Sequence, residues 1–326
     1  LFRRLAVFVG GFTLNAAQAV AADIFDAPQD VADGIASLMD QSLLQILDGT
    51  PGFTRYGLLE TIREFALEHL AADADRSHVQ DAHATWFAAL AQRAITTQAP
   101  AARPVCLSHL QAEHANFRAA LTHAEQQGDL NRCLGIAASL WRFWHQRGHW
   151  REGYTWLVRL LEQAPDGDGI EPATWAMAQA GAGWLAHYQN DHVRAEQALA
   201  LAAAAYQRLG PGDGLVDVRN CQSLVAQSLG EHRRSVDHGN AALALARTLA
   251  DPSLTAESLS GLSRATRELG DYPTAAHLAQ EIVALDGKAL RRAPFVAFKA
   301  QGQHVQILLV QTRTNGRQLR IAHAGR

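Results

Sequence analysis

Apolar positions recur along most of this chain at three- and four-residue steps, the period of helices with one buried face. In the stretch FTRYGLLETIREFALEHL (53–70), Leu58, Leu59, Ile62, Phe65, Ala66 and Leu70 fall on one side and Glu60, Arg63, Glu64 and Glu68 on the other. This predicts an amphipathic joining helix. Ahead of it, LFRRLAVFV (1–9) reads as a short helix stopped by Gly10-Gly11, and a second helix runs from about Leu14 to Ala22. A third, opened by Pro28 and Asp30, places Val31, Ile35, Leu38, Met39 and Leu43 together. The runs LLQIL and FTRYGL around DGTPG then read as a hairpin. Three helices and a hairpin give a winged-helix order over residues 1–76.

Beyond residue 77 only helical periodicity remains, beginning with a helix opened by Ser77 and Gln80 that carries Trp86 and Phe87. NDHVRAEQAL at 190, GEHRRSVDHG at 230 and GDYPTAAHLA at 270 begin forty residues apart, and GHWREGYTWL precedes them at 148. Each starts with Gly or Asn at a helix end and carries a small residue five positions later: Gly153, Ala195, Ser235, Ala275. Small residues there let helices approach closely, so residues 77–286 are expected to form a solenoid of antiparallel pairs. GDL at 128 offers a further unit in a less regular register. The expected fold is mainly all-α, a small winged-helix module with one β-hairpin followed by a helical repeat solenoid.

Charge changes this picture in two places. No basic residue lies between Leu5 and Thr54, and the third helix offers Asp30, Asp33 and Asp40. A helix entering the major groove needs cations against phosphate, so this module is expected to make protein contacts instead of reading DNA. Residues 287–326 carry eight basic and no acidic residues and hold both lysines, Lys288 and Lys299, of a chain whose net charge is −3. That basic tail breaks with the rest in composition, and a shifted reading frame or truncated end is the expectation. Its run QILLVQT is strand-like, with no sheet expected for it to join.

Candidate chemistry is sparse. No phosphate loop of the GxxxxGK[ST] type occurs, so ATP and magnesium are not expected to bind this chain, and neither metal site nor catalytic constellation is predicted. His145 and His149 have ligand-pair spacing, but Gly148 separates them at a helix end. Cys106, Cys133 and Cys221 form no disulfide pattern and fit a reducing, cytoplasmic setting. No apolar run reaches membrane-spanning length, so no membrane partner is expected. Trp141, Trp144, Trp150 and Trp156 form an aromatic group that lines a groove for a protein or peptide partner, or fills the core, the latter being favoured. The joining-helix residues Leu59, Glu60, Ile62, Arg63 and Phe65 are expected to couple the winged module to the first repeat around Trp86 and Phe87.

LFRRLAVFVGGFTLNAAQAV, ASLMDQSLL, RYGLLETIREFALEHL, AEHANFRAAL and LWRFWHQRGHWREGYTWL occur in an order that resembles the C-terminal half of a bacterial signal-transduction ATPase of the STAND class, related to LuxR- and AfsR-type regulators. The resemblance covers about residues 1–285. It implies a non-catalytic portion, a winged-helix lid followed by tetratricopeptide-like (TPR-like) sensor repeats, with ATP or ADP and magnesium held by an upstream nucleotide-binding domain in cis. The first residue is Leu, which agrees with a start inside a longer protein. In the related NB-ARC proteins a Met-His-Asp motif ends the winged helix. It aligns with Leu58, Leu59 and Glu60 here, and Leu59 cannot donate to a phosphate. The competing readings are a DNA-binding transcription factor acting through the wing or tail, and an independent TPR adaptor.

Overall fold

The computed structural model describes residues 1–25, 27–47, 53–72, 74–96 and 103–285, with two strands at 297–301 and 304–308. Two compact units divide the chain, Leu1–Gln146 and Arg147–Arg326.

The first unit opens with α1 (Phe2–Leu5), β1 (Phe12–Thr13), α2 (Leu14–Val20) and α3 (Pro28–Asp40). Thr13 caps α2 by accepting from the Ala16 N–H at 3.3 Å, and Asp30 accepts from the Ala27 N–H at 3.2 Å at the proline-led start of α3. The predicted hairpin is β2 (Leu44–Leu47) against β3 (Arg55–Leu58), antiparallel with Leu44 opposite Leu58 and Leu47 opposite Arg55. Its DGTPG turn lies outside the described residues. One strand more is present than the periodicity predicts. β1 pairs with β3, Phe12 opposite Tyr56, giving a three-stranded sheet in the order β1-β3-β2. Two residues are too short a run to show alternation, so β1 is visible only through its partner. Gly11 is required at this join: it has φ +98°, and an added Cβ would lie 2.8 Å from the Tyr56 carbonyl oxygen.

The joining helix is α4 (Glu60–Ala71), followed by α5 (Arg76–Thr96), α6 (Arg103–Ala112), α7 (His114–Gln126) and α8 (Leu130–Arg147). α5 starts at Arg76, which leaves Ser77 inside its first turn.

The second unit repeats one hairpin: α9 (Trp150–Leu161), α10 (Pro172–Tyr188) with α11 (His192–Leu209), α12 (Asp213–Ser228) with α13 (His232–Thr248), and α14 (Pro252–Glu268) with α15 (Tyr272–Ala284). Asn190, Gly230 and Gly270 adopt φ +61°, +78° and +90°. The N–H groups of Asp191, Glu231 and Asp271 reach back to the carbonyls of Ala186, Ala226 and Thr266, satisfying helix-end carbonyls that would otherwise be orphaned. Asp191 and Asp271 then cap the next helix through the Arg194 and Thr274 N–H groups. The predicted small residues are all buried. Each hairpin from α10 onward also carries a small residue twelve positions earlier. The Ser223 and Ser235 hydroxyls each donate to the other's carbonyl at 2.8 Å, Ser263 donates to the Ala275 carbonyl at 2.9 Å, and Gly183 faces Ala195. Apolar clusters join successive pairs: Val216, Ala242, Ala246 and Leu254 in one, and Leu243, Leu259, Leu262, Leu278 and Ile282 in the next.

The tail corrects one expectation. β4 (Ala297–Gln301) pairs antiparallel with β5 (His304–Leu308), Ala297 opposite Leu308, so the first residues of QILLVQT do have a strand to join. The remainder of that run lies outside the described residues.

Candidate functional site

The join between winged module and helices is built around rings and buried polar groups. Phe8 lies 4.8 Å from Phe12, 5.3 Å from His83 and 6.4 Å from Phe87, and Phe87 meets Phe117 edge-on at 5.4 Å. α5 and α7 thereby share one apolar core with the sheet. Below the rings, Asn116 on α7 accepts from the Val9 N–H at 2.7 Å and donates to the Gly11 carbonyl at 2.9 Å and to Glu113 at 2.7 Å. Glu113 pairs with Arg55 of β3, which also donates to the Gly10 carbonyl at 3.0 Å. Arg55, Glu113 and Asn116 are at most 4% exposed. His83 joins the network 3.4 Å from Asn116, and burial pushes its pKa down to about 4, so it is neutral. His109, stacked on Phe53 at 4.2 Å, is also pushed down, first by burial and then by the Arg55 charge.

A second anchor is Arg4, which is buried and binds Asp23 after α2, Asp75 before α5 at 2.9 Å and the Val20 carbonyl at 3.3 Å. One guanidinium thus ties three segments, as its planar fork allows.

The joining-helix residues differ from expectation. Ala66 and Leu70 are buried and Leu58 and Ile62 half-buried, but Leu59 is 50% and Phe65 55% exposed. The buried stripe is therefore narrower than the periodicity implied. Phe65 packs edge-on against His69 of its own helix at 4.4 Å, while Phe87 is covered by Phe8, His83 and Phe117. Trp86 is half-buried with Arg93 over its ring at 5.1 Å. Glu60 pairs with Arg63 at 3.1 Å, and Arg63 donates to the Phe8 carbonyl at 2.7 Å, so of the five it is Arg63 whose side chain bonds to the winged module. Arg55, Glu113, Asn116 and His83 were missed as a set. The signal lay in the RYGLLE and AEHANF motifs themselves, since an acid and an amide three positions apart share one helix face.

The four tryptophans also part company. Trp141 and Trp144 are buried in the first unit, and the Trp144 indole N–H has no hydrogen-bond partner among the described residues. These two are core. In the second unit Trp156 is half-buried under Arg159, 4.3 Å from its ring, and Trp150 lies 5.2 Å from Tyr188. Tyr188 in turn stacks on Trp184 at 6.2 Å and 16°. Trp150, Tyr188 and Trp184 form a chain of ring contacts in which Trp184 is buried. Trp184 and Tyr188 stand at i and i+4 on α10, a spacing readable in GWLAHY.

On α3 the exposed acids are Asp30, Asp33 and Asp40. No described helix is long and apolar enough to cross a membrane.

Residues 1–71 match the family model described as a winged helix-turn-helix domain. Over 162 residues the chain is 40% identical to proteins of Mycobacterium tuberculosis and Mycobacterium bovis that carry the name HTH-type transcriptional regulator; the match covers 50% of this chain and 18% of the relatives' own length. Among solved structures, BtubC from P. vanneervenii aligns at TM-score 0.48 and 17% identity, over 73% of this chain and 99% of that one. A STAND protein with a tetratricopeptide repeat sensor from Pyrococcus horikoshii aligns at TM-score 0.40 and 12% identity, over 89% of this chain and 50% of that one. The chain thus carries a winged helix-turn-helix domain over residues 1–71, followed by repeated antiparallel helix pairs, and along half its length is homologous to proteins named HTH-type transcriptional regulators.

Proposed function

We propose that this chain is the non-catalytic regulatory and protein-interaction portion of a STAND-type ATPase that regulates transcription. In this reading the winged module is a lid on a nucleotide-binding domain elsewhere in the same protein, and the helix pairs are a sensor arm that docks a protein or peptide. The observation that carries it is the surface of α3: the helix that would read a major groove exposes three aspartates and has no cation. Such a face repels phosphate and suits protein contact. The order of the five sequence motifs and the naming of the relatives support the same reading. Trp150 and Tyr188, half-buried on α9 and α10 with Tyr188 stacked on the buried Trp184, offer large rings for anchoring a partner. ATP or ADP with magnesium belongs to the nucleotide-binding domain, since this chain has no phosphate loop. A reducing cytoplasm suits its three thiols.

The test pairs two titrations of the full chain. Calorimetry with Mg-ATP is expected to show no saturable heat, and gel shifts with duplex DNA at low salt are expected to show no complex that depends on α3. Saturable micromolar ATP binding would overturn the non-catalytic assignment. A salt-sensitive DNA complex that persists after removal of residues 287–326 would overturn the lid reading in favour of a DNA-binding wing. Loss of such a complex with that removal would assign DNA contact to the basic tail.

A further inference from the structure

A cleft of about 440 Å³ opens between the winged module and the long helices within the first unit. We propose that it binds a small organic monoanion with an apolar body, such as an aryl or short acyl carboxylate. Its volume falls in the range of small-molecule sites. Val7, Leu67 and Leu70 on the winged side and Ala119 on α7 give it apolar walls. The polar groups of its lining are Arg63, Glu68, Arg76, Gln80, His83 and His123. Arg76 and Gln80 stand four apart on α5 and so share a face, and neither has a hydrogen-bond or ion-pair partner among the described residues. Arg63 faces them from α4, with Nε given to the Phe8 carbonyl and Nη1 to Glu60, which leaves Nη2 uncommitted. Glu68 is the one carboxylate on the lining, and His123 is occupied by Asp81 at 2.9 Å. Glu60 offsets the charge of Arg63, so Arg76 supplies the unpaired positive charge of the lining, beside Nη2 of Arg63 and the apolar walls. A fork of guanidinium N–H groups is matched best by a carboxylate.

The same walls reach the winged sheet. His83 lines the cleft and touches Asn116, which holds the Val9 N–H and the Gly11 carbonyl; Arg63 holds the Phe8 carbonyl. A ligand seated here presses on the segment between α1 and β1 directly. Every residue lining the cleft belongs to the first unit, so the proposal stands whether or not the proposed ATPase context holds.

The experiment is a titration of the full chain at pH 7.5 and low salt with 1-naphthoate, and with neutral 1-naphthamide as its uncharged counterpart, read by saturation-transfer NMR and tryptophan fluorescence. Saturable binding of naphthoate is expected, with naphthamide weaker by about tenfold. Arg76→Gln is expected to weaken naphthoate by about fivefold to tenfold at unchanged melting temperature, because Arg76 has no structural partner to lose. Ala119→Phe, which fills the cleft, is expected to abolish binding. Naphthoate affinity unchanged in Arg76→Gln, naphthamide binding as tightly as naphthoate, or no saturable binding into the millimolar range would each overturn the proposal. Where Ala119→Phe also lowers the melting temperature, Arg76→Gln and the neutral probe decide the matter between them.

Discussion

At the scale of single residues, the polar groups under the Phe8 ring cluster matter more than the exposed side of the joining helix. Asn116 satisfies one N–H and one carbonyl of the winged module and also holds Glu113. Truncation to Ala strands all three in a dry site, so Asn116→Ala is expected to cost about 3–5 kcal/mol in urea unfolding. Phe65→Ala, by contrast, removes a ring that is 55% exposed and is expected to change stability by about 0.5 kcal/mol or less. Equal losses for the two would show this ranking to be mistaken. The neutral His83 gives a pH signature. Its folded pKa of about 4 lies below the ordinary value near 6.5, so between those values the unfolded chain takes up a proton that the folded chain does not. Stability is therefore full above about pH 6.5 and declines as pH falls toward 4, by roughly 3 kcal/mol from this group. His187, half-buried and also near 4, acts in the same direction with a smaller share after solvent screening. Urea midpoints at pH 7.5 and pH 5 are expected to differ accordingly, and His83→Gln is expected to shrink the difference.

At the scale of elements, the helix pairs were legible because each turn repeats its own chemistry: a residue able to take positive φ, an acid or His, then a small residue five positions after the first. The winged order was legible for a similar reason, since caps and a hairpin leave local marks. What stayed hidden was long-range. Arg55 meets Glu113 across 58 positions and Asn116 meets Gly11 across 105, and no window of sequence registers such pairs. Phe65 was misplaced because it stands at one edge of the apolar stripe while the buried face of α4 is centred on Ala66 and Leu70; Leu58 and Leu59, counted into the stripe, precede the helix, in β3 and at its N-cap. Within the pairs, Gly183 is required by its neighbour: an added Cβ would lie 2.6 Å from Leu199 Cγ and 3.3 Å from the Ala195 carbonyl oxygen. Gly183→Ala is thus expected to destabilise by about 1–3 kcal/mol. Gly135, in α8 with nothing within 4 Å of its missing Cβ, is the control, and Gly135→Ala is expected to stabilise by about 0.5–1 kcal/mol. The two melting shifts should have opposite signs.

At the scale of the molecule, the first compact unit extends past the matched winged domain to Gln146. The core explains why. Phe8 and Phe12 share their cluster with Phe87 and Phe117, and Arg55 finds its carboxylate only on α7. A fragment ending at residue 76 leaves a buried cation unpaired and half a ring cluster in water, and is expected to show no cooperative melt. A fragment of residues 1–147 keeps every partner of that network and is expected to melt cooperatively with helical circular dichroism. A sharp transition for the shorter fragment would show that the winged module does not depend on α5 and α7.

The serine seam of the second unit bears on how such an array changes length. Ser223 with Ser235, and Ser263 with Ala275, close a hairpin upon itself, each contact lying wholly inside one forty-residue unit. Duplication or loss of a whole unit therefore leaves no seam half-made. What must be matched anew are the aliphatic joints between neighbouring pairs, a surface tolerant of exchange, and the Arg234–Glu196 and Arg247–Glu281 bridges that cross from one pair to the next. Ancestral gain or loss of a repeat thus alters the number of helix pairs without redesign of any hairpin, while the winged end, fixed by pairings more than fifty positions apart, has no such freedom.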